Sequence, residues 1–133
     1  MQKIGFTCGT FDLCHYGHII MLAECKSQCD YLVVAVQEDP TVDRLYKNMP
    51  IQTLGERLEL VRAVRYVDVV LPYNTEDELY QLLQSIKIDV RFVGEDWYGK
   101  KITGDDLGIP IIFNSRTHSY STTELRERIK NGM

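Results

Sequence analysis

The chain has no apolar run approaching the ~20 residues of a membrane-spanning helix, so no membrane partner is expected. Its start, MQKIGFTCGTFD, lacks the basic segment and apolar stretch of a secretory leader, and a cytoplasmic location follows as the expectation. There is no CxxC pair. The four cysteines, Cys8, Cys14, Cys25 and Cys29, all fall in the first quarter of the chain, whereas a disulfide scaffold would spread them. Cys25 and Cys29 stand four apart on an expected helix, which makes a metal site conceivable. Zinc ligands usually come as closely spaced pairs from two elements, so reduced thiols packed as small hydrophobes are the better reading, and no protein-held metal is expected. A basic excess is also missing: 15 Lys and Arg face 19 Asp and Glu, for a net charge of −4. That disfavours a nucleic-acid partner but leaves room for a few cations gathered in one cleft. No repeat, low-complexity tract or interdomain linker breaks the 133 residues, which fit one domain, 1–133.

What is present alternates between two periods. Lys3–Thr7, Tyr31–Val36, Val67–Leu71, Val90–Val93 and Ile109–Phe113 are short apolar runs that read as strands. YLVVAV at 31–36 is continuous and β-branched, which suits a parallel strand covered on both faces. His18–Cys29, Thr53–Val64, Glu76–Ile86 and Thr122–Lys130 carry apolar residues at helical spacing. Five strands and four helices in alternation predict an α/β, doubly wound, Rossmann-like domain: a five-stranded parallel sheet with helices on both faces. Ligands of such sheets sit beyond the carboxyl ends of the strands. The segments Thr10–His18, Asp39–Lys47, Gly94–Trp97 and Arg116–Thr123 all follow strands and can converge there.

The first strand–turn–helix junction, Gly9–His18, reads GTFDLCHYGH. It is neither the GK[ST] phosphate loop nor GxGxxG. It offers instead two imidazoles, His15 and His18, at a helix start with Gly17 between them. Helix N-terminal amides favour an anion, and two histidines add donors for phosphate oxygens. Arg57 stands at a helix start, against the dipole, which favours a ligand role over a solvated one. Ser121-Thr122-Thr123-Glu124 can cap the last helix and bind phosphate with the same amides. His118 reads as a solvent-facing loop residue, and Trp97, after Gly-Glu-Asp, as a site wall.

GTFDLCHYGH resembles the signature of the HxGH nucleotidylyltransferases, and especially their cytidylyltransferase branch. The tail RTHSYSTT, 116–123, resembles that branch's RTxGISTT. Between them, in the same order, lie GERLE around Arg57, Arg65-Tyr66-Val67-Asp68 resembling RYVD, and Gly94-Glu95-Asp96-Trp97 resembling GDDW. The likeness leans toward the glycerol-3-phosphate cytidylyltransferases. Ser119 and Tyr120 depart from the motif's Gly and small aliphatic residue.

This resemblance implies attack of a phosphomonoester on the α-phosphorus of CTP. His15, His18, Lys47 and Arg116 would then be catalytic. Gly9, Thr10, Phe11, Asp12, Gly17, Asp96, Trp97, Thr117, Ser121 and Thr122 would hold the nucleotide, with Asp12 holding the turn or the sugar side and Asp96 and Trp97 lying by the base and ribose or the acceptor. Arg57 would bind the acceptor, and Arg65 and Asp68 would shape the acceptor pocket or the dimer contact. Mg²⁺ would accompany CTP, the second partner would be a small phosphorylated acceptor, glycerol 3-phosphate first, and the chain would be a homodimer. Two alternatives remain: adenylyl or cytidylyl transfer to a sugar phosphate, and a nucleotide-binding module without catalysis.

Overall fold

The β-branched and aromatic runs form five strands, β1 (Ile4–Gly9), β2 (Tyr31–Gln37), β3 (Val69–Tyr73), β4 (Val90–Gly94) and β5 (Ile111–Asn114), in the computed structural model. It describes residues 2–115 and 121–132. Every pairing is parallel and the strand order is β3-β2-β1-β4-β5. Residues 32–37 of β2 are all buried, as a strand covered on both faces requires. The order reverses between β1 and β4, which opens a crevice at the carboxyl edge of the sheet.

Two apolar layers hold the sheet. On one side α1 (Tyr16–Ser27) and α2 (Leu54–Arg62) place Leu22, Cys25 and Val61 against Leu32, Val34, Val36, Val90 and Phe92. On the other, α3 (Glu76–Ser85) sets Leu79 and Leu83 against Phe6, Val33, Ala35 and Tyr73. Each fully buried aliphatic side chain contributes roughly 1.5–3 kcal/mol. Thr53 and Thr75 cap α2 and α3 by accepting from Glu56 N and Glu78 N, and Glu56 completes a reciprocal box at α2. The last helix is α4 (Thr122–Asn131).

Boundaries differ from expectation at three places. β3 starts at Val69 because residues 64–67 close a turn after α2, with Val67 N donating to Val64 O. β5 starts at Ile111 because Pro110, which has no N–H, serves as an acceptor for Arg91 N. α1 starts at Tyr16, before the expected His18, because His15 is its cap.

Candidate active site

The turn after β1 is built from strained backbone and buried anchors. Phe11 and Leu13 have φ of 56° and 51°, the left-handed region that costs side-chain-bearing residues about 1–3 kcal/mol. Phe11 is held there because its ring is buried in the core and lies 5.3 Å from the His18 ring. Asp12 is buried as well. Its carboxylate accepts from Ile51 N (2.9 Å), Gln52 N (3.0 Å) and Arg126 Nη2 (2.7 Å). Burial alone would raise the Asp12 pKa, but these amides and the Arg126 charge outweigh it and hold the carboxyl below its ordinary value. Phe11 and Asp12 therefore fix the turn from beneath instead of lining the cleft; holding the turn is one of the two roles expected of Asp12, whereas Phe11 was expected at the nucleotide.

The two histidines interlock. His15 Nδ1 accepts from Gly17 N and His18 Nδ1 accepts from His15 N, both at 3.0 Å, with ring centroids 4.1 Å apart. A ring nitrogen that accepts carries no proton, so the neutral rings are protonated at Nε2. Each imidazole thus takes a hydrogen bond from the helix start at one nitrogen and carries its N–H at the other, and such chains polarise in the donating direction.

A cleft of about 510 Å³ lies over the carboxyl edge, and Gly9, Thr10, His15, Gly17 and His18 form one wall. Ser121 and Thr122, at the start of α4, form another. Ser121 Oγ caps the helix by accepting from Glu124 N, and Thr122 Oγ1 donates to Asp12 O, which latches α4 to the turn. Asp96 and Trp97 close the β4 side, and Lys47 reaches in from the loop after β2. Ten residues expected at the site, Lys47 among them, therefore meet in one space. Arg116 and Thr117, and His118 with them, lie outside the described residues.

Three expected acceptor residues are placed elsewhere. Arg57 is buried at 2 % exposure, and its guanidinium donates to the carbonyls of Thr10, Gln37, Glu38 and Gln52. It ties the β1 turn to the end of β2. Arg65 is exposed on a shallow groove beside Leu60 and Val64, where it meets Tyr66. Asp68 precedes β3 at the amino edge of the sheet, where it accepts from Leu32 N and pairs with Lys26. None of the three lines the cleft.

Arg44 lines the cleft from the expected segment Asp39–Lys47 without having been singled out, and Tyr73, Glu76, Arg91 and Lys101 were not expected there. With Lys47, the described cleft gathers four Arg and Lys side chains against the carboxylates Glu76 and Asp96, a local excess of cations in a chain of net charge −4. Among the described residues five buried side-chain polar atoms have no partner, and four of them belong to this cleft: Arg44 Nε, Glu76 Oε2, Arg91 Nε and Asn114 Oδ1. Native structures leave such atoms orphaned rarely, and a binding site is where they recur. A basic residue inside an apolar strand run, Arg91 in VRFV, was the signal for one of them. Burial pushes the Cys25 thiol up to about 12, and Cys8, Cys14 and Cys29 are raised by burial too.

Residues 6–128 match the family model described as Cytidylyltransferase-like. Among curated proteins, the chain is 37 % identical over 130 residues to the glycerol-3-phosphate cytidylyltransferase of Bacillus subtilis, covering 97 % of this chain and 98 % of that protein. It is 35 % identical over 127 residues to the bifunctional protein HldE of Paramagnetospirillum magneticum, covering 92 % of this chain but only 26 % of the relative. The chain thus spans about a quarter of the length of the HldE proteins it matches. Among solved structures, a lipopolysaccharide core biosynthesis protein from Thermoplasma volcanium superposes with a TM-score of 0.70 at 28 % identity, over 91 % of this chain and all of that one. A pantoate-beta-alanine ligase from Francisella tularensis, TM-score 0.61 at 20 % identity over 97 % of this chain and 69 % of that one, shares the fold.

Proposed function

The chain belongs to the cytidylyltransferase-like family, and we propose that it transfers CMP from CTP to a small phosphoalcohol, glycerol 3-phosphate first, releasing pyrophosphate. An acceptor phosphate oxygen attacks the α-phosphorus, the new O–Pα bond forms, and the bond from Pα to the bridging oxygen breaks. A phosphomonoester is already anionic at neutral pH, so no base is required. The barrier lies in bringing anions together and in stabilising charge as it moves onto pyrophosphate.

The observation that carries this reading is the histidine pair. With both Nδ1 atoms accepting from backbone, His15 and His18 are set as Nε2 donors, not proton acceptors. They would hold α- and β-phosphate oxygens, while Gly9, Thr10 and the Gly17 backbone leave room for the chain of phosphates. Ser121 and Thr122 at the α4 start would take the far end of the triphosphate. Lys47 would neutralise the reacting phosphates from its loop. Asp96 and Trp97 would face the ribose and base, and Arg116 and Thr117 belong to the same proposal through their motif. Among the described residues no three His, Cys, Asp or Glu side chains cluster to cage a metal. Mg²⁺ would arrive with the triphosphate and would supply charge neutralisation there. A homodimer is part of the proposal.

A second reading, a sugar phosphate as acceptor, draws support from the likeness to HldE and to a lipopolysaccharide core biosynthesis protein. Incubating the protein with CTP and a panel of phosphoalcohols and sugar phosphates, and reading the CDP adducts by mass, separates the two. Fastest turnover with glycerol 3-phosphate supports the first; a sugar phosphate turned over at least ~10-fold faster would replace it.

A further inference from the structure

The cleft has a second end that the nucleotide residues do not use. His15, His18, Ser121 and Thr122 lie at the helix starts of α1 and α4. Arg91, Tyr73 and Glu76 lie on the α3 side of the sheet, with Arg44 reaching them from the loop after β2. Arg91 is the odd member. It is 4 % exposed, it makes one side-chain hydrogen bond, from Nη1 to Thr103 O (2.6 Å), and its Nε has no partner. No Asp or Glu oxygen pairs with it among the described residues. A buried guanidinium without an acid partner is costly unless something else neutralises it. Arg57 shows the contrast, since it is equally buried but donates to four carbonyls.

The surroundings are arranged around this charge. Gly104, with φ of 83°, lets the Ile102–Leu107 segment close over it; a Cβ there would stand 2.5 Å from Leu83 and 3.1 Å from Arg91 Nη1. Arg44 Nη2 is oriented by Gln37 Oε1 (3.0 Å), and Gln37 is itself fixed on Asn74 O, so Arg44 Nε is presented without a partner. Glu76 Oε2 is buried and without a partner as well. The two arginine nitrogens lack an acceptor and the carboxylate lacks a donor. A bare phosphate would satisfy the first and be repelled by the second. A phosphate that carries hydroxyl groups satisfies all three.

We propose that Arg91, Arg44 and Glu76 form the acceptor subsite, where the arginines receive the phosphate and Glu76 receives a neighbouring hydroxyl of a polyhydroxylated phosphomonoester. This rests on the nucleotidyl-transfer reading above. It assigns acceptor selection to Glu76 and acceptor affinity to the arginines, in place of Arg57, Arg65 and Asp68.

The test is steady-state kinetics of Arg91→Met, Arg44→Met and Glu76→Gln, alongside calorimetric CTP binding. Each arginine variant should raise the KM for sn-glycerol 3-phosphate by at least ~30-fold, as losing a buried charged contact does, with the CTP Kd within about twofold. E76Q should erase the preference for sn-glycerol 3-phosphate over propyl phosphate. An unchanged acceptor KM in a folded variant, or a CTP Kd weakened in parallel, overturns the assignment. Arg44 is only half-buried in a loop, so R44M decides the matter if R91M does not fold. Should the wild-type protein transfer no nucleotide at all, the subsite is judged separately. The Arg91 Nε–H resonance should shift on adding sn-glycerol 3-phosphate or a hexose phosphate, and no shift with either removes the subsite.

Discussion

Replacing Arg57 with methionine separates a ligand-binding arginine from a structural one. Methionine keeps much of the apolar stem and removes the guanidinium. Four hydrogen bonds vanish, from Nε to Gln52 O (3.1 Å), from Nη1 to Thr10 O (3.1 Å) and Gln37 O, and from Nη2 to Glu38 O (2.7 Å). At about 2 kcal/mol for each bond from a charged donor, the gross loss is about 8 kcal/mol. Removing a charge buried at 2 % exposure returns several of these, roughly 5 kcal/mol, because its desolvation is no longer needed. Burial lowers the Arg57 pKa, ahead of the acidic neighbours that raise it, which is the same desolvation seen from the titration side. The net expectation is a destabilisation of about 3 kcal/mol, a large part of the 5–15 kcal/mol typical of a domain. Urea unfolding followed by circular dichroism should show the midpoint falling by about 1.5 M with the slope unchanged. A midpoint shift below about 0.3 M, together with a raised acceptor KM, would refute the structural role and return Arg57 to the binding site.

Two further expectations follow from the β1 turn. His18→Ala should lower pyrophosphate release at saturating CTP by at least ~100-fold, the scale of one preorganised donor. His18→Gln, whose amide can donate near the Nε2 position, should recover at least ~10-fold of that loss, and a Gln variant no better than Ala would contradict a donor role. Asp12 has a folded-state pKa below its unfolded value near ~3.9. Its contribution to stability is therefore complete above that value and is lost as pH falls through the folded one. Asp12→Asn should lower stability on the neutral plateau, and the gap to wild type should close below about pH 4; a gap that stays constant through acid would exclude the ion-paired carboxylate as its source.

Much of the fold was legible because single segments carry it. YLVVAVQ, continuous and β-branched, suits a strand buried on both faces, and Thr53 and Thr75, each followed three residues later by an acid, mark helix starts. The His15–His18 spacing likewise places both rings on one helix start, and the structure adds which nitrogen donates. What stayed hidden depends on distant partners. The dipole conflict at Arg57 pointed away from solvent, but a ligand and a cage of carbonyls from residues 10, 37 and 38 look alike until the chain is folded. Asp68 stands in a motif that runs in order with the site, yet it precedes its strand, and that alone sends it to the amino edge. Arg91 read as part of an apolar strand because its exposure is decided by the Thr103–Gly104 loop folding over it.

The central claim is cytidylyl transfer, and nucleotide choice tests it most directly. Pyrophosphate release should be measured with CTP, ATP, GTP and UTP in turn, each with sn-glycerol 3-phosphate and Mg²⁺. Release with CTP should run at least ~100-fold above the others, matched one to one by a CDP-linked product. Preference for ATP, or pyrophosphate without any CDP adduct, would contradict it.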